Sequence, residues 1–259
     1  MPKIKKVDFE ILELQSMKKY PKELYYTGNK ELLKRKKISI VGTRRPYGYT
    51  KEMVFSLSKE LSRRDTVIVS GCAMGVDAIA HQGAGVENTI AVMGNSLDIR
   101  YPSVNKHLIE EIENNGLILS QYEKNFKATR WSFVVRNEIV VALGDILIVA
   151  QADLKSGSMR SVEYALKMGK EIFVLPHRIG ESEGTNHLLK KGFAKPILDI
   201  EEFANRFKNI TIQKTDDPFL SYCASNPSYE EAVKLYKEKI FEAELEGRIE
   251  VYNGKIKVL

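Results

Sequence analysis

The chain has few cysteines and no pattern that would bind a metal. Its 259 residues include two cysteines, Cys72 and Cys223, which lie far apart and form no cluster with the four histidines. Closely spaced cysteines and histidines are the usual signature of zinc sites, and paired cysteines that of small disulfide-stabilised folds. The sequence therefore predicts no structural metal and a protein suited to a reducing compartment.

The chain also lacks a long hydrophobic run. Its longest apolar stretch, residues 139–150, is interrupted by Asp145. It is shorter than the roughly 20 apolar residues that a membrane-spanning helix needs. The first residues carry lysines and no apolar core of the kind found in a secretory signal. We therefore expect no membrane association and a cytoplasmic location.

Charge is distributed unevenly along the sequence, although the net charge is +6. Residues 216–259 contain nine acidic and six basic side chains, whereas the remainder contains 25 acidic and 34 basic ones. A basic surface favours polyanionic partners, and an acidic one repels phosphates. The large basic part is thus the candidate for nucleic-acid binding, and a protein-contact or spacer role is expected for the acidic tail.

Apolar strand patterns alternate with helical patterns through most of the chain. This alternation is typical of an α/β fold with a doubly wound, mostly parallel sheet. The predicted strands are residues 38–41, 67–69, 89–93, 117–119, 146–150 and 172–175. Residues 1–37 form a lead-in, and residues 38–208 form the main domain.

The end of the chain predicts a second, smaller domain. Residues 209–215 are polar and indicate a linker. A capping box at Ser228–Glu231 starts a helical segment, and Asn253-Gly254 lies between two strand patterns as a hairpin turn. Helices followed by a hairpin within residues 216–259 predict a winged-helix-like domain.

Three of the predicted strands run into Gly/Ser-rich turns that open helices. The turns are residues 42–46, 70–75 and 155–158. In a parallel sheet they lie at the carboxyl ends of the strands and share one crevice. Glycines let backbone N–H groups approach a ligand, and helix N-termini carry a partial positive charge. The pattern predicts a crevice that binds a chain of phosphates.

Residues 124–137 combine basic and aromatic side chains without an acidic one. Basic groups can follow a nucleic-acid backbone while rings stack on bases, each stack contributing about 1–3 kcal/mol. The basic residues are Lys124, Lys127, Arg130 and Arg136, and the aromatic ones are Phe126, Trp131 and Phe133. Because large aromatics are usually buried, Trp131 is equally compatible with a core position.

Several polar residues near these turns have alternative interpretations. Asp77 and His81 share one helix face, but no further metal ligands accompany them, so a helix-start carboxylate with a structural histidine partner is predicted. Asn137 is predicted to order a turn beside the crevice. Ser158 contacts phosphate, caps the next helix, or does both.

Six motifs follow one another in an order that is specific in combination. They are residues 41–44, 70–81, 89–102, 136–137, 155–158 and 184–192. With these motifs in place, the chain resembles the DprA/Smf family of DNA-processing proteins over residues 24–194. The resemblance implies an extended Rossmann-like domain that binds single-stranded DNA, forms a homodimer and delivers DNA to the RecA recombinase in natural transformation. It implies no catalytic activity and no cofactor.

The resemblance also assigns roles to individual residues. It implies that Arg44 contacts the DNA backbone and that Arg130 and Phe133 lie against DNA. Together with the turn pattern it predicts a DNA-binding set: Gly42, Thr43, Arg44, Arg45, Ser70, Gly71, Gly75, Lys127, Arg130, Phe133, Arg136, Asn137, Lys155, Ser156, Gly157 and Ser158. A dimer interface is expected near residues 186–197, at Asn186, Leu188, Leu189, Phe193 and Ile197, unless this apolar stripe packs on its own domain.

One enzymatic alternative remains at this point. Lysine-decarboxylase-like nucleotide hydrolases share the sheet and carry a glycine-rich turn followed by a catalytic glutamate. The equivalent stretch here, residues 156–163, has one glycine and ends in Glu163. No paired acid and base accompanies Glu163, which favours binding over hydrolysis.

Overall fold

The computed structural model describes residues 3–207, 217–223, 227–252 and 254–258. The chain divides into two compact units, Met1–Lys208 and Asn209–Leu259. The predicted linker, residues 209–215, and Asn253 of the predicted hairpin turn lie outside the described residues. No helix in the described ranges is both long and apolar enough to cross a membrane.

The first unit contains one large sheet, to which the described residues contribute nine strands in the order β1-β2-β6-β5-β4-β3-β7-β8-β9. Neighbours from β6 through to β9 are parallel, and β1 and β2 are antiparallel additions. The strands are β1 (Lys5–Lys6), β2 (Tyr25–Gly28), β3 (Lys37–Val41), β4 (Val67–Ser70), β5 (Thr89–Met93), β6 (Leu117–Ser120), β7 (Ile146–Val149), β8 (Ile172–Val174) and β9 (Lys195–Pro196). The predicted doubly wound, mostly parallel sheet is confirmed.

Helices cover both faces of this sheet. They are α1 (Gly48–Ser62), α2 (Val76–Ala84), α3 (Lys106–Asn115), α4 (Arg130–Leu143), α5 (Gly157–Lys167), α6 (Glu183–Lys190) and α7 (Ile200–Asn205), with short 3-10 helices at Leu12–Ser16, Lys30–Lys34, Val86–Asn88 and Ser103–Asn105. Residues of α4, α5 and α6 pack on one side of the sheet and those of α1, α2 and α7 on the other. The strands β3 to β8 are therefore buried on both faces, as their continuous apolar runs require.

The lead-in belongs to the same unit. Its strand β2 pairs with β6, and Ile11 and Leu14 are buried in the core on the α4 side. The Lys37 ammonium is buried at the amino end of β3, where it donates to Glu13 and to the Leu33 carbonyl oxygen at 2.5 and 2.7 Å. The alternation of strand and helix patterns in the sequence did not reveal β1 and β2. These two short strands are separated by irregular chain, and neither is long enough to show a periodic pattern.

The described residues of the second unit form three helices and an antiparallel pair of strands. They are α8 (Pro218–Cys223), α9 (Tyr229–Tyr236), α10 (Glu238–Leu245), β10 (Ile249–Tyr252) and β11 (Lys255–Val258). The two strands are antiparallel, and Ser228 caps α9 by accepting a hydrogen bond from the Glu231 N–H at 3.3 Å. Its own core contains Phe219, Ile240 and Ile249. This is the predicted winged-helix-like architecture.

Candidate nucleic-acid interface

A cleft lies at the carboxyl ends of the parallel strands, at the point where the strand order reverses. The chain adds β4, β5 and β6 on one side of β3 and then returns to place β7 on the other side. Open α/β sheets leave a crevice at such a switch point, outside the carboxyl ends of the strands. Here the crevice has a volume of about 720 Å³ and lies between the turns after β3 and β7 and the start of α4. We call it the switch-point crevice.

The first turn, after β3, is bonded by its backbone to the residues that flank the other two turns. The Thr43 N–H donates to the Gln151 carbonyl oxygen at 2.9 Å, and the Thr43 carbonyl oxygen accepts from the Val76 N–H at 3.2 Å. Gly75 makes this approach possible because its φ is +80° and a Cβ there would lie 2.5 Å from the Thr43 carbonyl oxygen. The three predicted turns do meet at one place.

Arg44 and Arg45 project from this turn and are exposed. Both line the switch-point crevice, and neither takes part in an ion pair among the described residues. An unpaired guanidinium presents a planar fork of donors suited to phosphate oxygens. This is the geometry that the sequence predicted for Arg44.

The third turn ends at the N-terminus of α5, which faces the switch-point crevice. Ser156 is the N-cap residue, so the predicted cap at Ser158 is wrong by two residues, and Ser158 lies in the first turn. In the described part of the chain, no protein group accepts a hydrogen bond from the backbone N–H of Gly157 or Ser158. A Cβ on Gly157 would meet nothing within 4 Å. Free backbone donors and the helix dipole both favour an anion at such a helix end.

Two buried hydroxyls lie beside this helix end. The Oγ atoms of Ser156 and Ser161 are buried and have no hydrogen-bond partner among the described residues, and Ser161 is 0% exposed. Both residues line the switch-point crevice. Unsatisfied buried polar groups are costly and commonly mark a place where a ligand or water supplies the missing partner. Sequence reasoning missed Ser161, because a serine one turn into a helix carries no distinctive signal.

Helix α4 forms the opposite wall. It begins with a capping box in which Thr129 Oγ1 accepts from the Ser132 N–H at 3.1 Å and Ser132 Oγ accepts from the Thr129 N–H at 2.8 Å. The box places Arg130, Phe133 and Asn137 along the crevice wall. Asn137 thus lies within α4, and the predicted turn-ordering role is wrong. Its half-buried amide makes no hydrogen bond within the described residues.

Phe133 is held among cationic and aromatic groups. Its ring centroid is 5.3 Å from the Arg44 guanidinium carbon and 5.8 Å from that of Arg136. The Tyr101 ring lies 6.0 Å away. Gly94 accommodates the ring, since a Cβ there would lie 2.7 Å from a ring carbon. The ring is therefore fixed at the edge of the crevice, where cation–π contact pre-positions Arg44.

The sequence predicted a DNA contact for Arg136, but the structure buries its guanidinium. The residue is 4% exposed, and its Nη1 donates to the carbonyl oxygens of Gly71 and Val92, the latter at 2.5 Å. Gly71 has no room for a Cβ because the Arg136 guanidinium occupies that space. Arg136 therefore joins the ends of β4 and β5 and supports Phe133 from within the protein. Arg136 still lines the inner wall of the switch-point crevice, but its Nη1 is engaged by the backbone and no part of the residue is exposed as Arg44 is.

The groups around Arg136 form a buried polar cluster with perturbed ionisation, comprising Cys72, Asp77 and His81. Burial raises the pKa of Asp77, which the Arg136 charge opposes. Burial, and then the Arg136 charge, lower the pKa of His81 to about 3, so the ring is neutral at pH 7. Burial raises the pKa of the Cys72 thiol to about 12.

His81 is structural, as predicted, but its partner differs from the prediction. Its Nδ1 lies 3.2 Å from Thr89 Oγ1, and Asp77 instead accepts from the Ala73 N–H at 3.4 Å. In the described ranges, no group of three His, Cys, Asp or Glu side chains could hold a metal ion.

The second turn has a packing role in place of the predicted DNA contact. Ser70 is fully buried and donates to the Ile40 carbonyl oxygen at 2.7 Å. Gly71 is packed against Arg136, and Gly75 against the first turn. The first N–H of α2, that of Val76, is already bonded to Thr43. From the sequence, a glycine-rich turn that is open to a ligand cannot be distinguished from one that packs against another turn.

The remaining predicted contact residues lie outside the switch-point crevice. Lys127 and Lys155 are exposed, and neither lines it. Trp131 is 65% exposed, so its core interpretation is wrong.

The sequence did not single out Gln151. Its side-chain oxygen accepts from the Tyr47 N–H at 3.0 Å and from Thr50 Oγ1 at 2.8 Å. Gln151 thereby fixes the chain that follows the first turn against the end of β7.

The predicted dimer stripe is split between core and surface. Leu188 and Ile197 are buried in their own unit and are not available for a partner, which is the alternative that the sequence left open. Leu189 packs partly against the same core, and the Asn186 amide donates to the Arg178 and Glu181 carbonyl oxygens at 3.1 and 2.9 Å. Phe193 remains exposed.

The first unit matches a protein-family model over nearly its whole length. A model described as DNA recombination-mediator protein A matches residues 7–208. The chain is 37% identical over 177 residues to DNA processing protein DprA of Streptococcus pneumoniae, a match that covers 66% of this chain and 62% of the relative. Protein Smf of Synechocystis is 36% identical over 159 residues, 60% of this chain and 40% of the relative. The chain thus spans less than two thirds of the length of these two curated relatives.

Solved structures agree with the fold. DNA processing protein A of Helicobacter pylori has a TM-score of 0.77 and 45% identity, over 80% of this chain and 97% of that one. That structure concerns the single-stranded DNA binding mode of the Helicobacter protein. DprA of Streptococcus pneumoniae has a TM-score of 0.73 and 33% identity, over 80% of this chain and 75% of that one.

Proposed function

The chain belongs to the DNA recombination-mediator protein A family, and on that premise we propose that it binds single-stranded DNA in the switch-point crevice. The observation that carries this proposal is the convergence of three kinds of group at one place. Exposed guanidiniums come from Arg44 and Arg130, free backbone donors come from the start of α5, and an aromatic ring comes from Phe133.

Each group corresponds to a part of a single strand. The guanidiniums and the helix N-terminus suit phosphates, and the Phe133 ring suits an unstacked base. Bases are available for such stacking only when the strand is unpaired, so single strands should bind more tightly than duplexes. None of these groups reads base edges in a fixed pattern, and little sequence preference is expected.

Salt dependence tests this proposal directly. If about four to six phosphates are engaged, log affinity should fall against log salt with a slope near −3 to −4. The measurement is fluorescence anisotropy with a labelled oligothymidylate, with a duplex of the same length as comparison. Arg130→Ala should weaken binding without lowering thermal stability. Salt-independent binding, or tighter binding of the duplex, would contradict the proposal.

The wider role is that of a mediator that protects incoming single-stranded DNA and loads the RecA recombinase during natural transformation, in the cytoplasm. Family membership supports this role. We also infer that the protein works as a homodimer, which would let two crevices engage one strand and raise its apparent affinity. Phe193→Glu is the variant of choice for light scattering, since Phe193 is the exposed member of the predicted stripe.

The protein is proposed to act by binding, without catalysis. Glu163, the candidate glutamate of the nucleotide-hydrolase alternative, is exposed and paired with Arg160 at 3.0 Å, and it is not among the residues that line the switch-point crevice. Release of free base from nucleoside monophosphates, abolished by Glu163→Ala, would overturn this part of the proposal.

A further inference from the structure

Helix α4 separates the switch-point crevice from a second cavity. Arg130, Phe133 and Asn137 line the crevice on one side of the helix. Trp131 and Glu138 line a groove of about 890 Å³ on the other side. The groove also runs along residues 17–23 and 121–126, and we call it the outer groove. No part of the proposed function uses it.

Trp131 is the most unusual residue of the outer groove. It is 65% exposed, and no ring among the described aromatic pairs packs against it. Tryptophan has a large apolar surface that proteins normally bury in a core or an interface. It follows Arg130 directly in the first turn of α4. A strand whose phosphate contacts Arg130 would therefore bring a neighbouring base within reach of the indole.

The outer groove offers lysines that can contact phosphates. Lys19, Lys22 and Lys124 line it, together with three glutamates. Glu23 is paired with Lys6 Nζ at 2.6 Å, and Glu138 accepts from the backbone N–H of Lys18 at 3.2 Å. The third is Glu123. The lysines form no ion pair among the described residues, which leaves them free for phosphates.

The wall beside Trp131 is aromatic and fixed. Tyr122 and Phe126 stack with ring centroids 4.1 Å apart and an interplanar angle of 7°. The Phe126 carbonyl oxygen accepts from the Ser96 N–H at 3.0 Å, which holds this loop on the main domain. The outer groove is thus a preformed feature of the fold, and only the first turn of α4 lies between Trp131 in this groove and Arg130 in the switch-point crevice.

We propose that single-stranded DNA leaving the switch-point crevice crosses the start of α4 and stacks a base on Trp131 in the outer groove. The backbone then follows Lys124 and Lys22. Such stacking is sequence-tolerant because every base has an aromatic face. This inference rests on the proposed function, since it extends the path of the same strand.

Intrinsic fluorescence tests the proposal, because Trp131 is the only tryptophan of the chain. The full chain is titrated with an oligothymidylate of about 20 nucleotides, longer than the footprint of a single binding fold. Binding is followed independently by anisotropy of a labelled copy. We expect tryptophan emission to fall in parallel with binding. Binding without a change in emission would overturn the proposal and leave the proposed function intact, whereas no binding at all would contradict both.

Variants separate stacking from charge. Trp131→Leu should lower affinity about tenfold, and Trp131→Phe should recover most of the loss. The salt slope should stay unchanged in both, since no phosphate contact is removed. Phe55→Leu is the matched control, because Phe55 is an exposed aromatic (45%) on α1 outside both cavities, and it should bind normally. Unchanged affinity in Trp131→Leu would assign the groove to another partner and overturn the proposal.

Discussion

The arginines beside the crevice belong to two regions with opposite properties. Arg44 and Arg130 lie on the rim, exposed and without an ion pair in the described ranges. Arg136, two turns further along α4 than Arg130, is buried and donates to two backbone carbonyls. The rim arginines are available to a ligand and contribute little to the stability of the fold. The buried cluster holds the rim in place, and the Arg136 Nη1 is already engaged by backbone carbonyl oxygens.

The comparison shows how one residue type serves two purposes within a single helix. A guanidinium in water forms weak, salt-sensitive contacts, whereas a buried one must satisfy its donors within the protein or destabilise it. Rim variants should therefore change affinity and leave stability alone. Cluster variants should change stability first and affinity only through the position of Phe133.

The largest effect is expected for Arg136→Ala. Removing the guanidinium leaves the Gly71 and Val92 carbonyl oxygens without this donor and leaves Asp77 buried without its counter-charge. Loss of one partner from a buried charged arrangement typically costs about 3–5 kcal/mol. Urea unfolding should show a decrease of this size in the free energy of unfolding. A decrease of only about 0.5 kcal/mol, the size of a surface substitution, would remove the distinction between the two regions.

The next effect is a pH dependence of stability from His81. Its pKa is lowered from 6.5 to about 3 in the folded protein, so the unfolded chain binds the additional proton. The free energy of unfolding that the neutral His81 contributes is fully present above pH 6.5 and is lost as the pH falls towards 3. The raised pKa of Asp77 acts in the opposite direction, because a group that holds its proton in the folded state adds stability as the pH falls.

A variant isolates the histidine from this opposing contribution. His81→Gln retains Asp77 and Arg136, so the difference between the variant and the wild type reports His81 alone. At pH 4 the wild type should have lost a few kcal/mol more than the variant relative to pH 7, since one pKa unit corresponds to about 1.4 kcal/mol. Parallel stability curves for the two proteins between these pH values would show that His81 is not held neutral.

These two regions also differ in how well the sequence predicted them. Arg44 stood out because it lies in a recognisable Gly-containing turn directly after β3, and Arg130 because it belongs to the basic and aromatic stretch, at the start of α4. Arg136 stands in a motif of equal specificity but lies inside the protein. Motif order identifies the family and the strand ends, but the direction of a side chain depends on its position around the helix and on what packs above it.

A third effect contrasts two glycines of the turns. Gly75 has φ +80° and no space for a Cβ, which would lie 2.5 Å from the Thr43 carbonyl oxygen. A Cβ added to Gly157 would meet no other atom within 4 Å. Gly75→Ala should therefore cost about 1–3 kcal/mol of stability from backbone strain, and Gly157→Ala less than about 0.5 kcal/mol. Thermal unfolding of the two variants measures this, and equal values would contradict the packing role of the second turn.

The glycines show a second limit of sequence reasoning. All of the predicted turn glycines were interpreted as places where a ligand approaches the backbone. In the structure Gly157 has that freedom, while Gly71 and Gly75 are positions where the protein approaches itself. The missing side chain is the same in both cases, and only the three-dimensional neighbours distinguish them. Trp131 and Ser161 likewise needed coordinates, because exposure and an unpartnered hydroxyl leave no trace in the sequence.

The smallest effect on stability is expected on the rim, from Arg44→Ala and Arg45→Ala. Both side chains are exposed and line the switch-point crevice, so each variant should unfold within about 0.5 kcal/mol of the wild type. Each should reduce the magnitude of the salt slope by about 0.7, the value for one phosphate on a single strand. Arg44 also lies 5.3 Å from the Phe133 ring, which pre-positions it. Arg44→Ala should therefore lose more affinity than Arg45→Ala in anisotropy titrations, and the reverse order would mean that the Phe133 contact does not orient the phosphate site.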